Sequence, residues 1–216
     1  MNSIVHLADC LVNMRNYPDK YFDLAIVDPP YDYSISETYN ILTNKKFKNK
    51  QDGRKCGFKI GNSRNNCLNE PPPKDYFDEL FRISKNQIIW GGNYFDLPKI
   101  TAWIVWDKQN GENTFGDGEL AWTSFRGPLR IVRTGIHRVG RIHPTQKPIK
   151  LYDWCFKKYI PEGGKVIDTH VGSGSSRISA DRMGNIDFTG YEINDEYFKD
   201  EEKRYKNYKS QLCLFE

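Results

Sequence analysis

Short apolar runs, each closed by a polar or glycine-rich turn, set the architecture open to this chain. Ile4 to Leu7, Leu24 to Val27, Gln87 to Trp90, Ala102 to Trp106, Lys165 to Asp168 and Phe188 to Glu192 are four or five residues long, and most are rich in β-branched or aromatic side chains. Runs of that length read as buried strands. Between them lie segments with helical spacing: residues 10–16, Asp75 to Ser84, Ile149 to Tyr159, Ser175 to Met183 with Gly184 past its end, and Asp195 to Tyr208. Shorter β-like pieces stand at Leu120 to Phe125 and Leu129 to Val132. Strands alternating with helices predict an α/β fold, a doubly wound, mostly parallel sheet, in one domain spanning 1–216. A chain of 216 residues buries enough apolar surface to hold such a core without covalent staples.

Two stretches stand out by composition. Residues 33–73 form a basic insertion that closes on Pro71, Pro72 and Pro73, and residues 107–142 are rich in glycine and aromatics. Net charge is only +4, so its distribution says more than its sum. Lys45, Lys46, Lys48, Lys50, Arg54, Lys55, Lys59 and Arg64 crowd the first stretch, and Arg126, Arg130, Arg133, Arg138 and Arg141 occupy the second. Such clustering fits a surface that faces a polyanion, and it equally fits a solvated basic loop. The five cysteines are odd in number, no Cys-x-x-Cys occurs, and the four histidines make no ligand spacing with them. A disulfide framework and a zinc site are not expected. The beginning of the chain has no basic leader with an apolar core, and no run is long enough to span a bilayer, so a reduced cytoplasmic setting is expected.

Three motifs carry chemistry. Asp28-Pro29-Pro30-Tyr31 follows the Leu24–Val27 strand. The prolines remove two backbone donors and shape the turn, leaving carbonyls free to accept hydrogen bonds beside a flat aromatic ring. Acceptors next to a stacking surface suit the amino edge of a nucleobase; a plain strand-ending turn is the other reading. Asp168 to Ser175 passes from a strand through Gly172, Ser173 and Gly174 into a helix, and Glu192 ends the next strand. That is the layout of a nucleoside site, with an acid for the ribose hydroxyls, although Arg177 stands where a dinucleotide fingerprint has its third glycine. His143-Pro144-Thr145-Gln146-Lys147-Pro148 precedes a helix, where Lys147 and exposed amides suit a carboxylate. S-adenosylmethionine, with a nucleoside end and an amino-acid end, would use both of the last two motifs.

In this order the motifs resemble the permuted beta group of amino-group DNA methyltransferases, over most of 1–32, 87–106 and 143–208. The resemblance implies a Rossmann-like methyltransferase that binds S-adenosylmethionine and duplex DNA. It assigns catalysis to Asp28, Pro29, Pro30 and Tyr31. Asp9 and Cys10 fall where the family contacts adenine of the cofactor, Asp168, Gly172, Ser173, Gly174 and Ser175 match its loop, and Glu192 matches the ribose acid. His143, Thr145, Gln146 and Lys147 match the element that holds the methionine end. The family loop usually reads Asp-Pro-Phe-x-Gly-x-Gly; Thr169 and His170 stand here for Pro and Phe, and the imidazole is expected to keep part of the Phe packing. Asp at the first catalytic position implies adenine N6 as target, with cytosine N4 the alternative and an inactive DNA-binding relative a further one. Trp90 to Phe95 stands where it lines a base pocket or packs as core aromatics.

DNA contacts are expected from Lys45, Lys46, Arg54, Arg126, Arg130, Arg133, Arg138 and Arg141, with 107–142 reading the target. The resemblance also implies a bacterial or phage-encoded modification enzyme of the restriction-modification kind, in a group where homodimers are common. Gln211 to Phe215, within the tail 209–216, looks like a sliding-clamp binding motif, and a tail folded onto its own domain is the competing reading.

Overall fold

The computed structural model describes residues 2–31, 71–111, 116–136, 140–143 and 145–212. Among these residues, eight strands form one sheet: β1 (Ser3–Leu7), β2 (Phe22–Val27), β3 (Ser84–Trp90), β4 (Ile104–Asp107), β5 (Gly118–Thr123), β6 (Arg130–Arg133), β7 (Lys165–Asp168) and β8 (Asp187–Glu192). Their order is β1-β8-β7-β2-β3-β5-β4-β6. Strands β1, β8, β7, β2 and β3 are mutually parallel, as expected. β5 runs antiparallel between β3 and β4, and β6 is parallel to β4. The antiparallel strand has a simple cause. Residues 108–117 are fewer than the dozen or so that a parallel crossover needs, so the chain can only double back. The 107–142 stretch thus supplies two strands of the main sheet, and is not an appendage to it.

Among the described residues, five α-helices flank the sheet: α1 (Cys10–Met14), α2 (Lys74–Ile83), α3 (Ile149–Tyr159), α4 (Ser175–Met183) and α5 (Asp195–Leu212). The period of two along β2 divides its side chains between the layers. Leu24 and Ile26 pack in a cluster with Leu151 and Phe156 of α3, while Ala25 and Val27 pack with Tyr76, Leu80 and Ile83 of α2. Full burial of each of these Leu and Ile side chains is worth about 1.5–3 kcal/mol relative to exposure, so one strand ties both layers together. α5 runs past Tyr208, its expected end, to Leu212. Tyr205 donates to Asp181 Oδ1 at 2.9 Å and Lys209 Nζ lies 3.1 Å from the same carboxylate, which holds the last turns against α4. The start of the expected tail is therefore helical, and Cys213 to Phe215 of the clamp-like motif lie outside the described residues. No described helix is long and apolar enough to cross a membrane, and the described residues hold no cluster suited to a metal.

Candidate active site

Parallel strands end on a common edge, and here that edge collects the motifs. β2 and β7 are neighbours, with Leu24 opposite Val166 and Ala25 opposite Ile167. Asp28 and Asp168 therefore close adjacent strands. Asp168, 2% exposed, accepts hydrogen bonds from Ser176 Oγ at 2.6 Å and His170 N at 3.0 Å, folding the loop back over the strand end. Gly172 and Gly174 take φ of +53° and +73°, left-handed values that side chains with a Cβ rarely adopt. Glu192 Oε2 accepts from Gly172 N at 3.0 Å, and Oε1 accepts from Asn194 N at 2.8 Å, so β8 braces the same loop. Arg204 of α5 donates to the Ser173 carbonyl at 2.5 Å and the Ser175 hydroxyl at 3.0 Å. Arg204 carried no local signal in sequence; a basic residue in a charged helix announces no target.

The segment before α3 joins this loop. The His143 ring lies 3.4 Å from the point where a Cβ on Gly172 would stand, and meets Tyr197 edge-on at 4.4 Å. Thr145 Oγ1 is 3.1 Å from His143 Nδ1, and Gln146 Oε1 accepts from Ile142 N at 3.1 Å, which closes a tight turn. Burial pushes the His143 imidazole down to about 4, helped by the charge on Lys147, so it is neutral near pH 7. Burial likewise pushes His170 down to about 4. His170 packs edge-on against Tyr76, with ring centres 5.5 Å apart, and Thr169 Oγ1 bridges His170 Nδ1 and the Tyr76 hydroxyl at 2.9 and 2.6 Å. The Thr169-His170 pair thus anchors the loop to α2. Asp9 caps α1 through Leu11 N at 2.8 Å, and the neighbouring Cys10 thiol is pushed up to about 12, chiefly by burial.

Lys147 does not stand as its sequence context suggested. It is 4% exposed, its ammonium binds Asp28 Oδ2, and Glu119 Oε2 lies 3.1 Å away. Pro148 is the helix cap and is itself buried, so Lys147 is turned inward to the protein's own acids at the entrance to α3. The cause is β5, which starts beside the end of β4, with Glu119 opposite Trp106, and so brings Glu119 to the site. Burial pushes the Asp28 carboxyl up, Lys147 pulls it down, and Glu119 pushes it up again. Lys147 is raised by both carboxylates against its own desolvation.

Tyr31 stacks on Tyr94, with planes 6° apart and ring centres at 4.3 Å, and Tyr94 is 45% exposed. Phe95 turns the other way, against Phe77 in the core. An open aromatic pair thus stands beside the Asp28 turn. The arginines separate. Arg133, at the outgoing end of β6, lies 3.5 Å from Asp107, and Arg141 adjoins the His143 turn close enough to feel Glu119. Arg130 begins β6, and Arg126 follows the far end of β5. Lys45, Lys46, Arg54 and Arg138 lie outside the described residues. Glu119 and Lys108 escaped the sequence reading, because a single charge at the mouth of a β-run signals nothing until the strand's neighbours are known.

Comparison with known proteins bears on this edge. The profile of the N6/N4-type DNA methylase family matches residues 40–203. No curated protein matches the chain. Among solved structures, TTHA0409 of Thermus thermophilus, a candidate DNA modification methylase solved also with S-adenosyl-L-methionine, aligns with a TM-score of 0.56 at 16% identity, over 94% of this chain; the alignment covers 94% of TTHA0409, or 93% in the liganded crystal. The M1.HpyAVI complex with S-adenosylmethionine aligns with a TM-score of 0.56 at 16% identity, over 93% of this chain and 98% of that one. The cytosine-N4-specific PvuII DNA methyltransferase aligns with a TM-score of 0.57 at 12% identity, over 91% and 84%. At such identities the likeness concerns the fold.

Proposed function

This chain belongs to the N6/N4 family of DNA methylases, and we propose that it moves a methyl group from S-adenosylmethionine to the N6 amine of an adenine extruded from duplex DNA at a specific site. The observation that carries this reading is the adjacency of Asp28 and the Asp168–Ser175 loop on neighbouring strand ends. The loop suits the cofactor on structural grounds: its two left-handed glycines leave room for a ligand to approach the backbone at a strand end, with Glu192 closing the next strand beside it. Gly172 to Ser175 and Glu192 would hold the nucleoside end, with Asp9 and Cys10 at the adenine and the His143–Gln146 turn toward the methionine end. Proteins of the same fold, TTHA0409 and M1.HpyAVI, have been solved with that molecule. When bound, it supplies an electrophilic methyl on a sulfonium that leaves as a neutral thioether.

The residues of the chain then have simple tasks. A base within the stack is out of reach, so it must flip. Tyr31 offers a face for stacking, worth about 1–3 kcal/mol per base. The Asp28 carboxylate and the Pro29 carbonyl accept hydrogen bonds from the exocyclic amine, aim its lone pair and stabilise positive charge as it grows; no covalent enzyme intermediate is required. Residues 107–142 and 33–73 are assigned target reading and duplex holding, with Arg133 and Arg141 nearest the catalytic edge.

Asp28→Ala should lower methyl transfer by at least about a thousand-fold while calorimetry shows cofactor binding within a few-fold of wild type; near-normal turnover would refute the role. Digestion of DNA methylated with labelled cofactor, followed by identification of the modified base, decides between N6-methyladenine and the cytosine-N4 product suggested by the PvuII likeness.

A further inference from the structure

Asp28 is not alone in its site. Lys147 Nζ, on a side chain 3% exposed, binds Asp28 and reaches Glu119 Oε2 at 3.1 Å, while Glu119 Oε1 lies 2.8 Å from Lys108 Nζ. Four alternating charges thus run from the end of β2 through the turn before α3 and the start of β5 to the end of β4. Lys147 also faces the Trp90 ring at 5.6 Å, and Lys108 the Trp106 ring at 5.4 Å, so the row is walled by indoles. In this arrangement the row opposes the chemistry. During transfer the nitrogen lone pair becomes the N–C bond, the S–C electrons stay on sulfur, and positive charge rests on nitrogen until a proton leaves to water. An ammonium already seated on Asp28 competes for the acceptor oxygens and repels that charge at short range. It cannot withdraw alone, because a buried cation without a partner is costly. A second carboxylate in contact removes that cost.

We propose that Glu119 is a positioning residue that takes Lys147 from Asp28 when the substrate amine docks, so that Asp28 meets the reacting nitrogen as an unshared carboxylate. The proposal rests on Asp28 being the amine acceptor, as argued above. Glu119 is faced by Lys147 and Lys108 in contact and by Asp28, Arg141 and Tyr152 beyond them; Asp28 is faced in addition by Lys108, Asp168, Tyr76 and Tyr152, and Lys147 by His143. Removing the Glu119 charge makes Asp28 easier to ionise but leaves Lys147, among the described residues, with Asp28 as its one anionic partner. Removing the Lys108 charge makes Asp28 harder to ionise and frees Glu119 for Lys147.

The test is the pH dependence of kcat on the full chain with its DNA site and S-adenosylmethionine. Glu119→Gln should lower the plateau by about ten- to a hundred-fold and move the acid limb to lower pH, with cofactor affinity by calorimetry within about twofold. Glu119→Asp should recover most of the plateau. Lys108→Met should move the acid limb to higher pH with the plateau kept or raised. Damage to packing would shift both variants alike, so opposite shifts support the proposal; equal shifts, no shifts, or a Glu119→Gln plateau within about threefold of wild type overturn it. If Glu119→Gln does not fold, the sign of the limb in Lys108→Met decides alone, an unmoved or lowered limb being fatal. Failure of the underlying reading is seen separately, as wild-type turnover in Asp28→Asn.

Discussion

Asp28 and Asp168 end neighbouring strands of one sheet, both in poorly hydrated surroundings, and they are held in opposite ways. Asp28 faces an ammonium, Lys147, backed by a second acid. Asp168 accepts from neutral donors, a serine hydroxyl and a backbone amide, and burial pushes its carboxyl up to about 7. The contrast separates two uses of a buried acid. Burial pushes the Asp28 carboxyl up as well, but its contact with Lys147 opposes that push, so its readiness to accept a bond from a substrate depends on its ion partner. A carboxyl bonded to its own loop shapes a cradle, and gains little from carrying charge.

The comparison breaks most visibly at Lys147. Lys147→Met leaves Asp28 and Glu119 with one cation between them, and should cost about 3–5 kcal/mol of stability near pH 7 in urea denaturation. The loss should shrink at about pH 5, as the acids take up protons; a loss independent of pH would mean that packing of the lysine stem, not its charge, matters. A smaller effect is expected at Asp168. Its folded value, about 7, lies above the ordinary 3.8, so the folded state binds the proton more tightly. That contribution is fully present below pH 3.8 and is lost as pH rises toward and through 7. Asp168→Asn should abolish this slope, a difference on the order of 2–4 kcal/mol between pH 4 and 8; parallel pH–stability curves for the two proteins would show that Asp168 stays ionised throughout. Smallest is Ser176→Ala, which removes one hydrogen bond to Asp168 and should cost about 1–2 kcal/mol above pH 7, with less loss below it. An equal loss at both ends would assign the effect to the helix start instead.

The strand ends and turns that form the candidate site were legible in sequence because they are local. A strand of four apolar residues followed by Asp-Pro-Pro-Tyr reads as a strand end wherever it occurs, and the turn through Gly172 and Gly174 must precede a helix because its glycines stand where the chain takes left-handed angles. The bounds expected for Ile149–Tyr159, Lys165–Asp168 and Ser175–Met183 coincide with α3, β7 and α4, each bracketed by glycine, proline or a cap. Where such punctuation was missing, the reading slipped: Asp195 to Tyr208 lacks a stop signal, and contacts with Asp181 carry the helix to Leu212.

What sequence alone determined about this protein is the alternation of strands and helices and the order along the chain of two strand-end turns and the turn that enters α3, since these depend on side-chain period and turn residues within a few positions. The partners of Lys147 were decided only by the tertiary structure. Residues 28, 119 and 147 come from three separate elements, and β5 enters the sheet antiparallel because of the length of the connection before it. Pairing of charges across strands follows from that register, and no local pattern records it.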